Sequence, residues 1–162
     1  MEIERKYLLK RAPRDISEHP FSMIQQAYLC VEPVIRIRKK DDSYILTYKS
    51  AGLMEREEME VSLTKDSYQH LLKKCDGNVV SKKRHFVPLE NGLTAEVDIF
   101  QHGFDGLVLA EVEFESREQA DAFVPPSWLN QEVTEDARFQ NCNLCMMTEN
   151  ERITLLKEIL LP

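Results

Sequence analysis

Charged residues recur in this sequence as pairs separated by one position, and each pair carries one sign. The acidic pairs are Glu2/Glu4, Glu58/Glu60, Glu96/Asp98 and Glu111/Glu113; the basic pairs are Arg36/Arg38 and Lys82/Arg84, with Lys6 and Lys49 standing singly. In an extended strand residues i and i+2 share a face, so both members of a pair point the same way. Apolar residues fill the alternate positions, as in Ile35 and Ile37, Met59 and Val61, Val97 and Ile99, or Ala110, Val112 and Phe114. A charged face turned to water is the ordinary outcome for one such strand. Two like charges side by side repel, however, and a solubilising surface mixes its signs. If the sheet curls so that this face lines a channel, the acids require metal or basic partners and the bases require anions, because an unpaired buried ion is costly.

A triphosphate with divalent cations meets both demands. Arg36 and Arg38 offer planar forks for bidentate phosphate contact, while Lys6, Lys49 and Lys82 act as point charges. Oxygen-only ligands such as Glu111 and Glu113 favour Mg²⁺ or Mn²⁺ over zinc. His19, His70, His85 and His102 are dispersed, with no H-E-x-x-H pattern. A Walker loop, G-x-G-x-x-G and G-x-S-x-G are also missing, which removes support for the common nucleotide-loop and serine-hydrolase readings.

The elements that must position these residues read as short strands. Alternation runs from the N-terminus to about Phe114, over Glu2 to Leu8, Gln25 to Val31, Pro33 to Lys40, Ser43 to Lys49, Glu57 to Leu63, Val79 to Val87, Thr94 to Phe100 and Val108 to Glu115. Turn signals at Lys40-Asp41-Asp42-Ser43, Ala51-Gly52 and Glu90-Asn91-Gly92 join them as an antiparallel meander. Thr64 is placed to cap a helix from Lys65 to Cys75, with Gly77 beyond its end, and Ser116 to cap another from Arg117 to Phe123. Ile153, Leu156, Ile159 and Leu160 predict a last amphipathic helix.

A chain of 162 residues fits one domain. The net charge of −7 argues against a general nucleic-acid binder, which needs a basic surface. Of the cysteines Cys30, Cys75, Cys142 and Cys145, only the last two are spaced C-x-x-C, and one such pair fits reduced thiols better than zinc. No apolar run reaches the ~18 residues of a membrane span, and the N-terminus opens on charge. A cytoplasmic protein without membrane partners is expected.

The ordered set also resembles a known family. Met1-Glu2-Ile3-Glu4-Arg5-Lys6 is similar to the E-x-E-x-K signature of the CYTH superfamily, the triphosphate tunnel metalloenzymes. It is followed in order by Arg36-x-Arg38, Lys49 in Leu46-Thr47-Tyr48-Lys49-Ser50, Glu58-x-Glu60, Lys82-x-Arg84, Asp98 in Glu96-Val97-Asp98-Ile99-Phe100, Glu111-x-Glu113 and the run from Val133 to Phe139. The resemblance implies an α+β fold: a closed eight-stranded antiparallel β-barrel with helices packed outside, its strands mostly in residues 1–115 and a helical C-terminal segment, all one domain over 1–162. It implies hydrolysis of the terminal phosphate of a triphosphate with Mg²⁺ or Mn²⁺. Inorganic triphosphate is favoured, since little chain is left to recognise a base or thiamine. By matched position Lys6, Arg36, Arg38, Lys49, Lys82 and Arg84 would bind phosphates, and Glu2, Glu4, Glu60, Asp98, Glu111 and Glu113 would form the metal side. Tyr28, with Lys6, would be catalytic, as a proton acceptor; a water polarised by metal with a glutamate acceptor is the alternative. Phe139 stands where relatives often carry tyrosine. A class IV-like adenylate cyclase and a noncatalytic polyphosphate or nucleotide binder are the other readings, and both a homodimer and a last-helix plug over one tunnel mouth stay open.

Overall fold

The computed structural model describes residues 2–51 and 57–161. Its strands are β1 (Ile3–Leu8), β2 (Phe21–Val31), β3 (Val34–Lys40), β4 (Ser43–Lys49), β5 (Glu58–Ser62), β6 (Asp76–Pro88), β7 (Thr94–Gln101), β8 (Val108–Phe114) and β9 (Gln131–Glu132). Among the described residues four α-helices accompany them: α1 (Lys65–Leu72), α2 (Arg117–Ala122), α3 (Asn141–Met146) and α4 (Glu149–Leu160). The expected caps form, with Thr64 accepting from the Ser67 amide and Ser116 from the Gln119 amide. The tight turn after β3 places Asp41 at φ 51, a left-handed conformation that short polar side chains tolerate. Gly52, half of the second turn signal, lies outside the described residues.

The strands form one antiparallel sheet in the order β5-β4-β3-β2-β6-β7-β8-β1-β9. The expectation of a closed eight-stranded barrel is therefore overturned. β8 pairs along the whole of one edge of β1, while on the other edge β9 takes only Tyr7↔Glu132 and Leu8↔Gln131. The last strand in the order, β5, pairs only with β4 among the described residues, so no ladder joins it to β1. The sheet nevertheless curls far enough that Lys49, on β4, reaches Glu2, just before β1, with Nζ to Oε2 at 2.8 Å. Side chains, not a hydrogen-bonded ladder, bridge the opening.

Register assigns each face. Glu4↔Glu113, Lys6↔Glu111, Arg84↔Asp98, Glu96↔Glu111 and Tyr28↔Arg36 are cross-strand partners, so these residues share the inner, concave face. The outer face carries Tyr7, Val97, Ala110, Val112 and Phe114, covered by α2 with Phe123, Leu129 and Trp128. Tyr68 of α1 stacks near Tyr44 over the outer side of β3 and β4.

The C-terminal helices do not pack outside as the rest were expected to; the last helix takes the plug position that the sequence left open. Val34, Val80, Phe100 and Leu109 have the same parity as the charged residues, yet they cluster with Phe139, Leu144, Cys145 and Leu155. The apolar end of the inner face is thus plugged by α3 and α4. Gly77 permits this approach: it sits at φ +70 beside the β2–β6 register shift, and a Cβ there would lie 2.4 Å from the Cys145 carbonyl oxygen. Gly77→Ala should destabilise the fold by about 2 kcal/mol through strain and displacement of α3. That corresponds to a melting temperature lower by roughly 5 °C; an unchanged melt would contradict the docking.

Candidate functional site

The other end of the inner face is open and polar. A cavity of about 210 Å³ is lined there by Glu2 and Glu4 before and on β1, Glu60 on β5, Glu111 and Glu113 on β8, and opposite them Arg36, Arg38, Lys49 and Arg84. Lys40, Glu58, Glu96 and Asn141 also line it. Among the candidates, Lys6, Lys82, Asp98 and Tyr28 are not on its wall.

Lys82 and Asp98 are consumed in a buried network. Asp98 is 1% exposed and Lys82 wholly buried; Lys82 Nζ lies 2.7 Å from Oδ2, and Arg84 donates from Nε to Oδ1 at 2.7 Å and from Nη2 to Oδ2 at 2.8 Å. Burial opposes ionisation of Asp98, but Arg84 and Lys82 outweigh it and hold the carboxyl below its ordinary value. Burial pushes Lys82 down to about 8, which Asp98 resists. Arg84 also reaches Glu96 at 2.7 Å and Glu111 at 3.5 Å. The orientation of this guanidinium is therefore fixed by the protein.

Lys6 lies deeper, its Nζ 3.1 Å from Glu111 Oε1 and donating to the Phe139 carbonyl at 3.1 Å. Burial would raise the Glu111 pKa, yet Lys6, Arg84 and Lys82 hold the carboxyl far below the usual carboxylate range. Tyr28 is buried in the apolar plug cluster across from Arg36, and burial pushes its phenol up to about 12.

The remaining charges are sorted into two unbalanced groups. Arg36 donates to Thr47 Oγ1 at 3.3 Å and Arg38 donates twice to Gln26 Oε1, at 3.1 and 2.8 Å. Both partners are neutral, and neither arginine forms an ion pair among the described residues. Burial, Arg36 and Arg84 together lower the Arg38 pKa to about 10. Across the cavity Glu4 stands opposite Glu113, and like charges directly opposed are destabilising. Burial raises the Glu4 pKa to about 7, with Glu111 adding to the effect. Burial, Glu2, Glu96 and Glu58 raise that of Glu113.

Among the described residues no three His, Cys, Asp or Glu side chains already stand close enough together to hold a metal ion. The acidic wall still fits a hard divalent cation, because its donors are all oxygen and their repulsion is what a cation relieves. Gln26, Thr47, Lys40 and Asn141 were not singled out from the sequence. The first three carried a signal, since each stands two residues from a candidate on its own strand; Asn141, at the start of α3, carried none.

The family model for the CYTH domain matches residues 1–125. An inorganic triphosphatase of Nitrosomonas europaea is 36% identical over 148 residues, 90% of this chain and 97% of that protein. One from Acetivibrio thermocellus is 30% identical over 149 residues, 88% of this chain and 92% of its own. A crystal structure of an inorganic triphosphatase superposes with a TM-score of 0.71 at 33% identity, covering 91% of this chain and 96% of the other. A structure from Hippeastrum shares the fold at 20% identity, with a TM-score of 0.58 over 75% of this chain and 83% of that one.

Two measurements test this geometry. Asp98→Ala leaves Lys82 buried without its counter-charge and should cost about 3–5 kcal/mol in denaturation of metal-free, substrate-free protein; a loss under about 1 kcal/mol would show that the network does not hold the fold. The Glu4 proton is held to about pH 7 in the folded chain and released near 4.5 in the unfolded one. Stability from Glu4 is thus complete at low pH and drains away as pH rises through 7. In melts of metal-free protein the wild type should lose ground to Glu4→Gln between pH 4.5 and 8, and a constant difference would count against the crowding of Glu4.

Proposed function

The chain belongs to the CYTH domain family, and from that premise we propose that it hydrolyses the terminal phosphate of inorganic triphosphate, with Mg²⁺ or Mn²⁺ as cofactor. The observation that carries this reading is Arg36 and Arg38. Two adjacent guanidiniums, Arg36 buried and Arg38 half-buried, are each answered only by a neutral side chain and require an anion, and a phosphate chain offers several oxygens to their forks. Two relatives called inorganic triphosphatases align with most of this chain, which supports the choice of substrate.

Each side chain then has a task. Arg36, Arg38, Lys40 and Lys49 grip the phosphate chain from the basic wall. Arg84, clamped by Asp98, presents a fixed positive charge toward the same space, and Lys82 serves that clamp. Glu2, Glu4, Glu60, Glu111 and Glu113 would hold the divalent cation, with Glu111 ionised at all working pH values. Asp98 acts on that set through Arg84. A bound cation supplies charge neutralisation on the phosphate oxygens and Lewis acidity toward water. Lys6, held by Glu111 and the Phe139 carbonyl, donates to a phosphate oxygen at the deep end. Tyr28 keeps its proton at neutral pH, so its part is that of a hydroxyl donor, and a wall glutamate is the proton acceptor.

The free cysteines fit a reducing compartment, and no helix among the described residues is long and apolar enough to cross a membrane; a cytoplasmic enzyme of one domain is part of the proposal.

The direct test is phosphate release from tripolyphosphate, pyrophosphate, thiamine triphosphate and ATP with each metal in turn, with cyclic AMP monitored for ATP. Orthophosphate from tripolyphosphate above the other substrates supports the reading; cyclic AMP as the main product, or binding without release, ends it. Arg38→Met should raise KM for tripolyphosphate about 100-fold while changing the ligand-free melt little, because removal of an uncompensated charge offsets the two hydrogen bonds lost to Gln26 Oε1. A lower melt with an unchanged KM would contradict the assignment.

A further inference from the structure

Gln26 of β2 has figured so far only as the acceptor for Arg38. Its side chain is fully buried on the inner face, next to the cavity-lining Arg38 across the β2–β3 ladder but not itself part of the lining, with Val80 across the β2–β6 ladder. A guanidinium only donates, so the two bonds from Arg38 identify the limb that receives them as Oε1 and leave Nε2 on the other limb. That Nε2 is buried and has no protein partner. An unsatisfied buried amide donor is costly, and an apolar side chain of the same length would avoid the cost.

The same inner wall holds a second orphan, Nε of Arg36, on the neighbouring strand. Tyr7 Oη is orphaned too, but it lies on the outer face among apolar side chains, so an unpartnered atom by itself marks no site. Gln26 differs because it stands beside two guanidiniums that lack a counter-ion. Unsatisfied donors and uncompensated positive charge on two neighbouring strands of the inner face have the same complement, an anion rich in acceptor oxygens.

We infer that Gln26 is a substrate-binding residue: Nε2 donates to a non-bridging oxygen of the phosphate chain held by Arg36 and Arg38, while Oε1 sets the angle of the Arg38 fork. This rests on the triphosphatase reading and adds to it a neutral donor at the base of the arginine pair. A contact made equally in the bound ground state and the transition state changes KM more than kcat.

The test uses purified wild type, Gln26→Met and Gln26→Glu, with kinetics on tripolyphosphate plus Mg²⁺ and calorimetric binding of tripolyphosphate in EDTA. Gln26→Met removes both donor and acceptor, and its KM and Kd should rise about tenfold or more with kcat within about threefold. Gln26→Glu keeps a strong acceptor for Arg38 but loses the donor and adds negative charge, so its KM should rise at least as far. A residue that merely orients Arg38 would behave in the opposite way, with the carboxylate restoring wild-type KM. That restoration, or both variants lying within about twofold of wild type in KM and Kd, overturns the inference. Circular dichroism checks folding, and the glutamate variant decides if the methionine variant fails it. Wild type that neither binds nor cleaves tripolyphosphate overturns the triphosphatase reading and this inference with it; wild type that does both while the variants match it overturns the role of Gln26 alone.

Discussion

Asp98 lies between Lys82 and Arg84 with almost no access to water, and the arrangement of the inner face depends on that cluster. Two cations and one carboxylate leave a net positive charge inside the sheet, and Arg84 passes part of it to Glu111 and Glu96. Glu111 in turn holds Lys6. The network spans β6, β7, β8 and β1, and its geometry fixes which side chains are already satisfied and which are left to meet a ligand. Breaking a buried pair costs more than forming it gains, so such a network rigidifies the wall more than it stabilises the fold.

The satisfied and unsatisfied groups then segregate. On the β2–β3 side Arg36 and Arg38 face only neutral partners; on the β1–β8 side Glu4 and Glu113 face each other. A polyanion accompanied by a divalent cation relieves both at once, whereas either alone would leave half of the imbalance. The sheet needs no continuous ladder for this. It curls until Lys49 meets Glu2, while β9 caps the edge of β1 and the C-terminal helices fill the apolar end.

Alternation was enough to locate the strands and to place the charged pairs on one face, because period two is a local property of the chain. It could not say how the sheet would close. β9 has two residues, too few to show any period, and it pairs with the Tyr7–Leu8 end of β1. A plug stayed open from the sequence, and its place was written in parity: Val34, Val80, Phe100 and Leu109 fall with the charged residues, so part of the inner face is apolar. Parity also cannot separate Asp98, locked in a buried network, from Glu113, exposed to the cavity, since both face inward and differ only in what surrounds them. Gln26 shares the parity of Tyr28, which marks its face, but its meaning shows only once its partner Arg38 and its orphaned nitrogen are seen together.

The most direct measurement is a crystal structure of the protein with tripolyphosphate and Mn²⁺, with anomalous scattering to locate the metal. Phosphate density is expected along Arg36, Arg38 and Arg84, and the manganese signal against the glutamates of β1 and β8. Phosphate bound on the outer face, or manganese held away from those carboxylates, would contradict this arrangement.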